Sequence, residues 1–103
     1  MAGCATAPSP DEQLRLTEQA VEQARAVGAL DTVSPLADAL NKTAQGRADM
    51  ASQHNKAARM ALEQAELDAR LAEANELTRK THEQLAQMKG RIQRLHKQLV
   101  DTQ

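Results

Sequence analysis

Residues 56–100 read KAARMALEQAELDARLAEANELTRKTHEQLAQMKGRIQRLHKQLV. Within this segment one series of positions recurs at alternating steps of four and three residues for more than five heptads. Its members are Met60, Gln64, Leu67, Leu71, Ala74, Thr78, Thr81, Leu85, Met88, Ile92, Leu95 and Leu99. An unbroken series of this kind is typical of the a and d positions of a coiled coil. The sequence therefore predicts one long amphipathic helix over about residues 56–100.

The composition of the whole chain favours helices packed at close range. Its 103 residues include no Phe, Tyr or Trp, whereas Ala occurs 20 times. Aromatic side chains supply much of the buried area of ordinary globular cores, so a thick core is not expected here. We predict an all-α protein: an antiparallel helical hairpin or three-helix arrangement with a long C-terminal coiled-coil helix.

Two shorter helices are predicted ahead of the long one. Pro10 and Pro35 each follow a serine, and a Ser-Pro pair is typical of a helix start with the serine as N-cap. The first helix is predicted over about residues 10–28 and the second over about 35–52. A polar cluster around His54 predicts a tight turn between the second and third helices; the competing interpretation is that they are continuous.

Helix lengths divide the predicted domain into two parts. The third helix would span roughly 65 Å and the others roughly 27 Å each, so the shorter helices can cover only about half of it. In that half a second stripe of apolar residues accompanies the heptad series: Ala58, Leu62, Ala65, Ala69 and Ala72. We expect both stripes to face the shorter helices. Residues 11–103 would thus form one domain, with a bundle part (11–78) and a projecting coiled-coil part (79–103), after a flexible tether (1–10).

The projecting part carries the candidate interaction site. Its apolar series, Leu85, Met88, Ile92, Leu95 and Leu99, is predicted to be a contact seam, with Arg91, Arg94 and Lys97 as a basic rim. Isolated helices are marginal in water, so we expect a homo-oligomer or a partner helix on this seam. A basic tail lying on anionic lipid is a further possibility. No aromatic residues interleave with the bases, so no nucleic-acid partner is expected.

No motif predicts catalysis or a cofactor. The sequence has no glycine-rich phosphate loop, no zinc-protease histidine pair and no local nucleophile motif. His82 and His96 are 14 residues apart, about 21 Å along a helix, which is far too distant to share a zinc ion at ~2 Å. We therefore expect no enzyme, no metal, no cofactor and no small-molecule substrate.

The segment before the first helix resembles the start of a bacterial lipoprotein. Ala2-Gly3-Cys4 is similar to a lipobox, and the following Ala, Thr, Ser and Pro residues are similar to a tether. By this resemblance Cys4 carries a lipid that anchors the chain to the membrane, and Ala5 points to the outer membrane, periplasmic face. The residues before Cys4 lack the basic and apolar segments of a signal peptide. Lipidation therefore requires a leader encoded upstream of Met1.

A family resemblance extends this interpretation. The segments at residues 18–25, 34–36 and 58–74 (EQAVEQAR, SPL and ARMALEQAELDARLAEA), together with Ala2-Gly3-Cys4, are similar to small proteobacterial lipoproteins catalogued as domain of unknown function 4398. The resemblance covers about residues 2–75. It implies a non-catalytic helical spacer or adaptor at the outer membrane, linked to peptidoglycan-associated OmpA-like proteins. The alternative is a soluble cytoplasmic coiled-coil interaction or regulatory protein.

Overall fold

The computed structural model describes residues 7–102, which form three helices. These are α1 (Asp11–Ala26), α2 (Leu36–Ala51) and α3 (Asn55–Asp101). The predicted all-α fold with a long C-terminal helix is confirmed, and each predicted helix boundary lies within two residues of the observed one. The molecule is elongated, with principal extents of 90 × 24 × 15 Å.

Both short helices pack on the N-terminal half of α3. Asn55 Nδ2 donates a hydrogen bond to the carbonyl oxygen of Ala7, near the start of α1, whereas Gly28, just past its end, lies beside Glu76. Thus α1 runs parallel to α3. The intervening α2 runs antiparallel to both, and Lys42 Nζ binds Asp68 Oδ2 at 2.7 Å across the α2–α3 contact.

Two left-handed residues reverse the chain between helices. Gly28 has a φ of +106° after the end of α1, as its identity predicts. Gln53 has a φ of 62° after the end of α2, and the His54 amide donates to the Asp49 carbonyl at 2.8 Å. The tight turn near His54 is therefore present, and α2 and α3 are separate helices.

The predicted serine N-caps are wrong. Pro10 and Pro35 themselves occupy the cap positions of α1 and α2, and neither helix start has a side-chain cap bond. Ser9 Oγ donates to the Asp11 carboxylate at 2.9 Å. The Ser9 hydroxyl therefore bonds to a side chain and not to a backbone amide of α1. Ser34 lies one position ahead of the cap, so a cap bond in the predicted register is not formed.

The core is thin and built from small side chains. Its buried residues are Ala20, Val21 and Ala24 from α1, Leu36 and Ala39 from α2, and Ala58, Leu62, Ala65, Ala69 and Ala72 from α3. Small side chains at these positions let the helix backbones approach closely, which explains how a chain without aromatic residues builds a core.

The heptad series of α3 does not take part in this core. Leu62 is 0% exposed, whereas Leu67 is 67% exposed, and Met60 and Leu71 are also exposed. The expectation that both stripes face the shorter helices is therefore wrong. Successive residues of an α-helix point about 100° apart, so positions two residues apart, such as Ala58 and Met60, point about 200° apart. The two stripes consequently lie on opposite faces of α3.

Candidate interaction surface

The larger apolar residues of the heptad series form two exposed groups on one side of α3, separated by Ala74, Thr78 and Thr81. We name the two groups together the α3 stripe. Its members are Met60, Leu67, Leu71, Leu85, Met88, Ile92, Leu95 and Leu99, each between 49% and 67% exposed. The stripe extends for about 59 Å at 1.5 Å per residue. Monomeric soluble proteins rarely expose large apolar patches, and such patches commonly mark interaction sites.

The C-terminal half of the stripe lies beyond the bundle. From Leu77 to Thr102 no residue is buried, and the Lys80 side chain lies near Gly28 in the α1–α2 connection. Leu85, Met88, Ile92, Leu95 and Leu99, predicted as the seam, share one side of this projecting segment. Their partner remains a prediction.

The predicted basic rim does not share one edge of the stripe. On the observed helix, heptad geometry places Arg91 beside the stripe but Lys97 on the opposite face, with Arg94 displaced toward that face. Lys89 borders the other edge of the stripe at an e position and was missed. The heptad assignment alone would have identified it, since e and g positions always flank an a/d seam.

Hydrogen bonds and ion pairs fix the bundle half of α3. Gln13 Nε2 donates to Glu66 Oε1 at 2.8 Å, and Arg70 pairs with the other carboxylate oxygen of Glu66 at 2.6 Å. The hydrogen bond from Gln13 has the largest effect and the one from Arg70 the next largest, and together they hold the pKa of Glu66 below its ordinary value. One turn beyond the core, the Arg79 guanidinium likewise lowers the pKa of Glu76. These contacts join α1 to α3 and link charged side chains along α3.

The connection between α1 and α2 is held by a further ion-pair network. Arg25 binds both Glu22 and Asp31, the latter with Nε to Oδ1 at 2.8 Å. Its guanidinium lowers the pKa of Asp31. The connection exposes Leu30 and Val33 at its outer side, above a shallow depression of about 370 Å³ that α3 closes from below.

A second open groove, of about 380 Å³, separates α1 from α2 on the side away from α3. Val21 and Leu40 line its floor, and Glu18 and Arg47 pair across it. Over residues 7–102, no group of three or more His, Cys, Asp or Glu side chains could hold a metal ion. His54, His82 and His96 are each exposed, and they lie far apart along the long axis of the molecule.

One predicted site concerns the membrane. Cys4, the predicted lipidation site, lies outside the residues that the structure describes. Within the described part of the chain, no helix combines the length and the apolar composition needed to cross a membrane.

Comparison with known proteins identifies the family. The sequence family described as domain of unknown function (DUF4398) matches residues 12–88, about three quarters of the chain. The chain belongs to the DUF4398 family. The family match includes the whole bundle and the first turns of the projecting helix.

A solved member of the DUF4398 family has the same fold. The crystal structure of a DUF4398 family protein from Pseudomonas aeruginosa PAO1, at 2.47 Å resolution, is 51% identical in sequence with a TM-score of 0.90. The match covers 93% of this chain and 100% of that one. Because so little of the chain is left out, the projecting half of α3 belongs to the shared fold. The chain matches no curated protein.

Proposed function

We propose that this DUF4398 protein is a non-catalytic cell-envelope lipoprotein that acts as a helical spacer or adaptor at the periplasmic face of the outer membrane. The observation that carries the adaptor role is the exposed α3 stripe, half of which projects beyond the bundle. An apolar face at heptad spacing is the form in which one helix recognises another. The partner in this proposal is therefore helical.

The bundle gives the projecting helix a defined direction. Thr17, fully buried in α1, donates its hydroxyl to the Leu62 carbonyl of α3 at 2.8 Å, and Lys42 of α2 binds Asp68 of α3. With α3 held on both sides, residues 79–101 extend about 33 Å from the bundle. A base of this kind with a projecting helix suits a spacer.

The proposed anchor is a lipid on Cys4. Acyl chains hold a protein at a membrane by burying methylene groups, and the short tether to α1 would let the bundle stand off the surface. The family resemblance extends the proposal to peptidoglycan-associated OmpA-like proteins as the partner class.

Lipid labelling tests the anchor. The gene is expressed with its native upstream sequence in cells fed a clickable palmitate analogue, for the wild type and for Cys4→Ser. We expect the label on the wild-type chain in the outer-membrane fraction and none on Cys4→Ser. An unlabelled wild-type chain in the cytoplasmic fraction would instead support the alternative, a cytoplasmic coiled-coil regulator.

Photo-crosslinking in cells tests the adaptor surface. A photoreactive amino acid replaces Ile92 on the α3 stripe and, in a matched control, Lys97 on the opposite face of α3, about 1.4 turns further along the helix. We expect specific protein adducts from position 92 only. Equal adducts from both positions, or none from position 92, would contradict an adaptor role for the stripe.

A further inference from the structure

We propose that the partner on the α3 stripe is the α3 stripe of a second copy of this chain, running antiparallel along its whole length. This rests on the proposed function, because it names the partner of the same surface. The result would be an elongated dimer in which each projecting helix lies on the bundle half of the other chain.

Access to the stripe supports a partner along all of α3. The buried face, represented by Leu62 and Ala69, is fully covered by α1 and α2, whereas Met60 and Leu67 on the opposite face are open. A second helix can therefore lie against α3 from Met60 to Leu99 without displacing either short helix. A partner limited to the projecting half would leave Met60, Leu67 and Leu71 exposed.

Charge selects the antiparallel direction. Residues 59–76 of α3 contain five acidic and two basic residues, a net charge of −3. Residues 83–100 contain four basic residues and one acidic residue, a net charge of +3, and of the basic residues Lys89 and Arg91 border the stripe. An antiparallel pair places the acidic segment of each chain against the basic segment of the other, twice. A parallel pair places the two acidic segments against each other and the two basic segments against each other, and this repulsion costs free energy.

One register pairs most of the stripe residues with each other. With the dimer axis between Arg79 and Lys80, the a and d positions meet in layers. Leu99 then faces the partner's Met60, Ile92 faces the partner's Leu67, and Leu71 faces the partner's Met88. Six of the eight stripe residues thereby meet another stripe residue. Of the remaining two, Leu85 faces the partner's Ala74 and Leu95 faces the partner's Gln64.

The charged flanking positions of this register give one attractive and one repulsive pair. Asp68 at an e position, which also binds Lys42 of its own chain at 2.7 Å, faces the partner's Lys89, the attractive pair. Arg70 at a g position faces the partner's Arg91, but Arg70 is already paired with Glu66 at 2.6 Å. In the parallel arrangement Glu63 would face the partner's Asp68, a repulsive pair. The Lys89 and Arg91 side chains of both chains, all four basic, would lie at the same position along the dimer axis.

The apolar area of the stripe approaches what a stable dimer buries. Sixteen half-exposed Leu, Ile and Met side chains, eight from each chain, correspond to on the order of 1,000 Å² of apolar surface. Flanking groups add to this value. Specific protein interfaces bury about 1,200–2,000 Å² in total, so the stripe alone provides most of what is needed.

Solution mass and directional disulfides test the dimer. The purified, unlipidated chain carries Cys4→Ser, and Ala74→Cys and Leu85→Cys are introduced singly. In the proposed register these two positions are adjacent across the dimer, whereas each lies about 16 Å along the axis from its own copy, too far for a disulfide. We expect a dimeric mass and, after mild oxidation, a covalent dimer only when the two variants are mixed and re-equilibrated.

Each other outcome overturns the proposal. A monomer at high micromolar concentration excludes self-pairing, and covalent homodimers of both single-cysteine variants establish the parallel direction. A dimer without the mixed disulfide excludes this register. As matched variants, Leu95→Glu should abolish the dimer and Gln93→Glu, on the polar side of the same turn, should retain it. A monomeric result leaves the adaptor function intact if position 92 still crosslinks to another envelope protein.

Discussion

Gly46 of α2 faces Leu62 of α3 so closely that a Cβ atom on Gly46 would lie 2.7 Å from both Cγ and Cδ2 of Leu62. Leu62 is fully buried, and the Ala58 carbonyl oxygen closes the same space at 3.4 Å from that Cβ. The absence of a side chain at Gly46 thus allows α2 and α3 to approach this closely.

Gly46→Ala should destabilise the fold. The alanine gains about 1 kcal/mol of helix propensity, but overpacking against Leu62 costs about 1–3 kcal/mol. We expect the free energy of unfolding, measured by urea denaturation, to fall. The control is Gly90→Ala, where a Cβ meets only the flexible end of Arg94 at 3.4 Å; it should raise stability or helicity. An increase in stability for Gly46→Ala would contradict the close contact.

Leu62→Ala and Leu67→Ala should differ sharply although both lie on α3. Leu62 is enclosed by α1 and α2, so its truncation should cost about 2–5 kcal/mol. Leu67 is 67% exposed, so its truncation should leave the unfolding free energy of the dilute monomer nearly unchanged. Thermal and urea denaturation at low protein concentration measure both. A large decrease in the unfolding free energy of the Leu67→Ala monomer would mean that the heptad series packs in the core, contrary to the structure.

Thr17→Val should weaken the α1–α3 contact. The buried Thr17 hydroxyl lies 2.8 Å from both the Leu62 carbonyl oxygen of α3 and the Gln13 carbonyl oxygen of its own helix. Its removal at nearly constant volume should cost about 0.5–1.5 kcal/mol. Thr43→Val is the matched control, because the Thr43 hydroxyl bonds to Ala39 of its own helix. Denaturation should show the smaller loss for Thr43→Val. Equal losses would mean that the bond between helices adds nothing to stability.

Acid should destabilise the bundle partly through Glu66. Its pKa in the folded chain lies below the ordinary value of 4.5, because Gln13 and Arg70 donate to its carboxylate. The stabilisation it provides is therefore complete above about pH 4.5 and is lost as the pH falls through the lower, folded-state pKa. Unfolding at a series of pH values from 7 to 3 should show a shallower decline for Glu66→Gln than for the wild type. Glu63→Gln, at an exposed position of α3, serves as control; identical profiles for wild type and Glu66→Gln would refute the role of Glu66.

The fold was largely predictable because its signals are local. The Pro10 and Gly28 positions predict α1 to within two residues, and the heptad series predicts the length of α3. The burial of α3 was not predicted correctly, because two apolar stripes coexist on one helix. Periodicity establishes that each stripe is a face, but it does not determine which face the short helices cover. The abundance of Ala in the Ala58–Ala72 stripe was the available signal, since small residues permit close packing.

The candidate site was predictable only in part. Heptad spacing correctly places Leu85 and Ile92 on one exposed side, because helix geometry alone determines it. The basic residues were grouped by proximity in sequence, and a rotation of 100° per residue separates Arg91 from Lys97. No local pattern specifies the partner, since the same apolar series suits a second copy or another helix.

Hydrogen exchange as a function of protein concentration tests most directly whether the projecting half of α3 depends on a second helix. The amides of residues 82–100 have no tertiary support within one chain, and an isolated helix is marginal in water. We predict that they exchange rapidly in dilute monomer and become protected as the chains associate, whereas the amides of residues 58–72 are protected throughout. Strong protection of residues 82–100 in verified monomer would contradict the account.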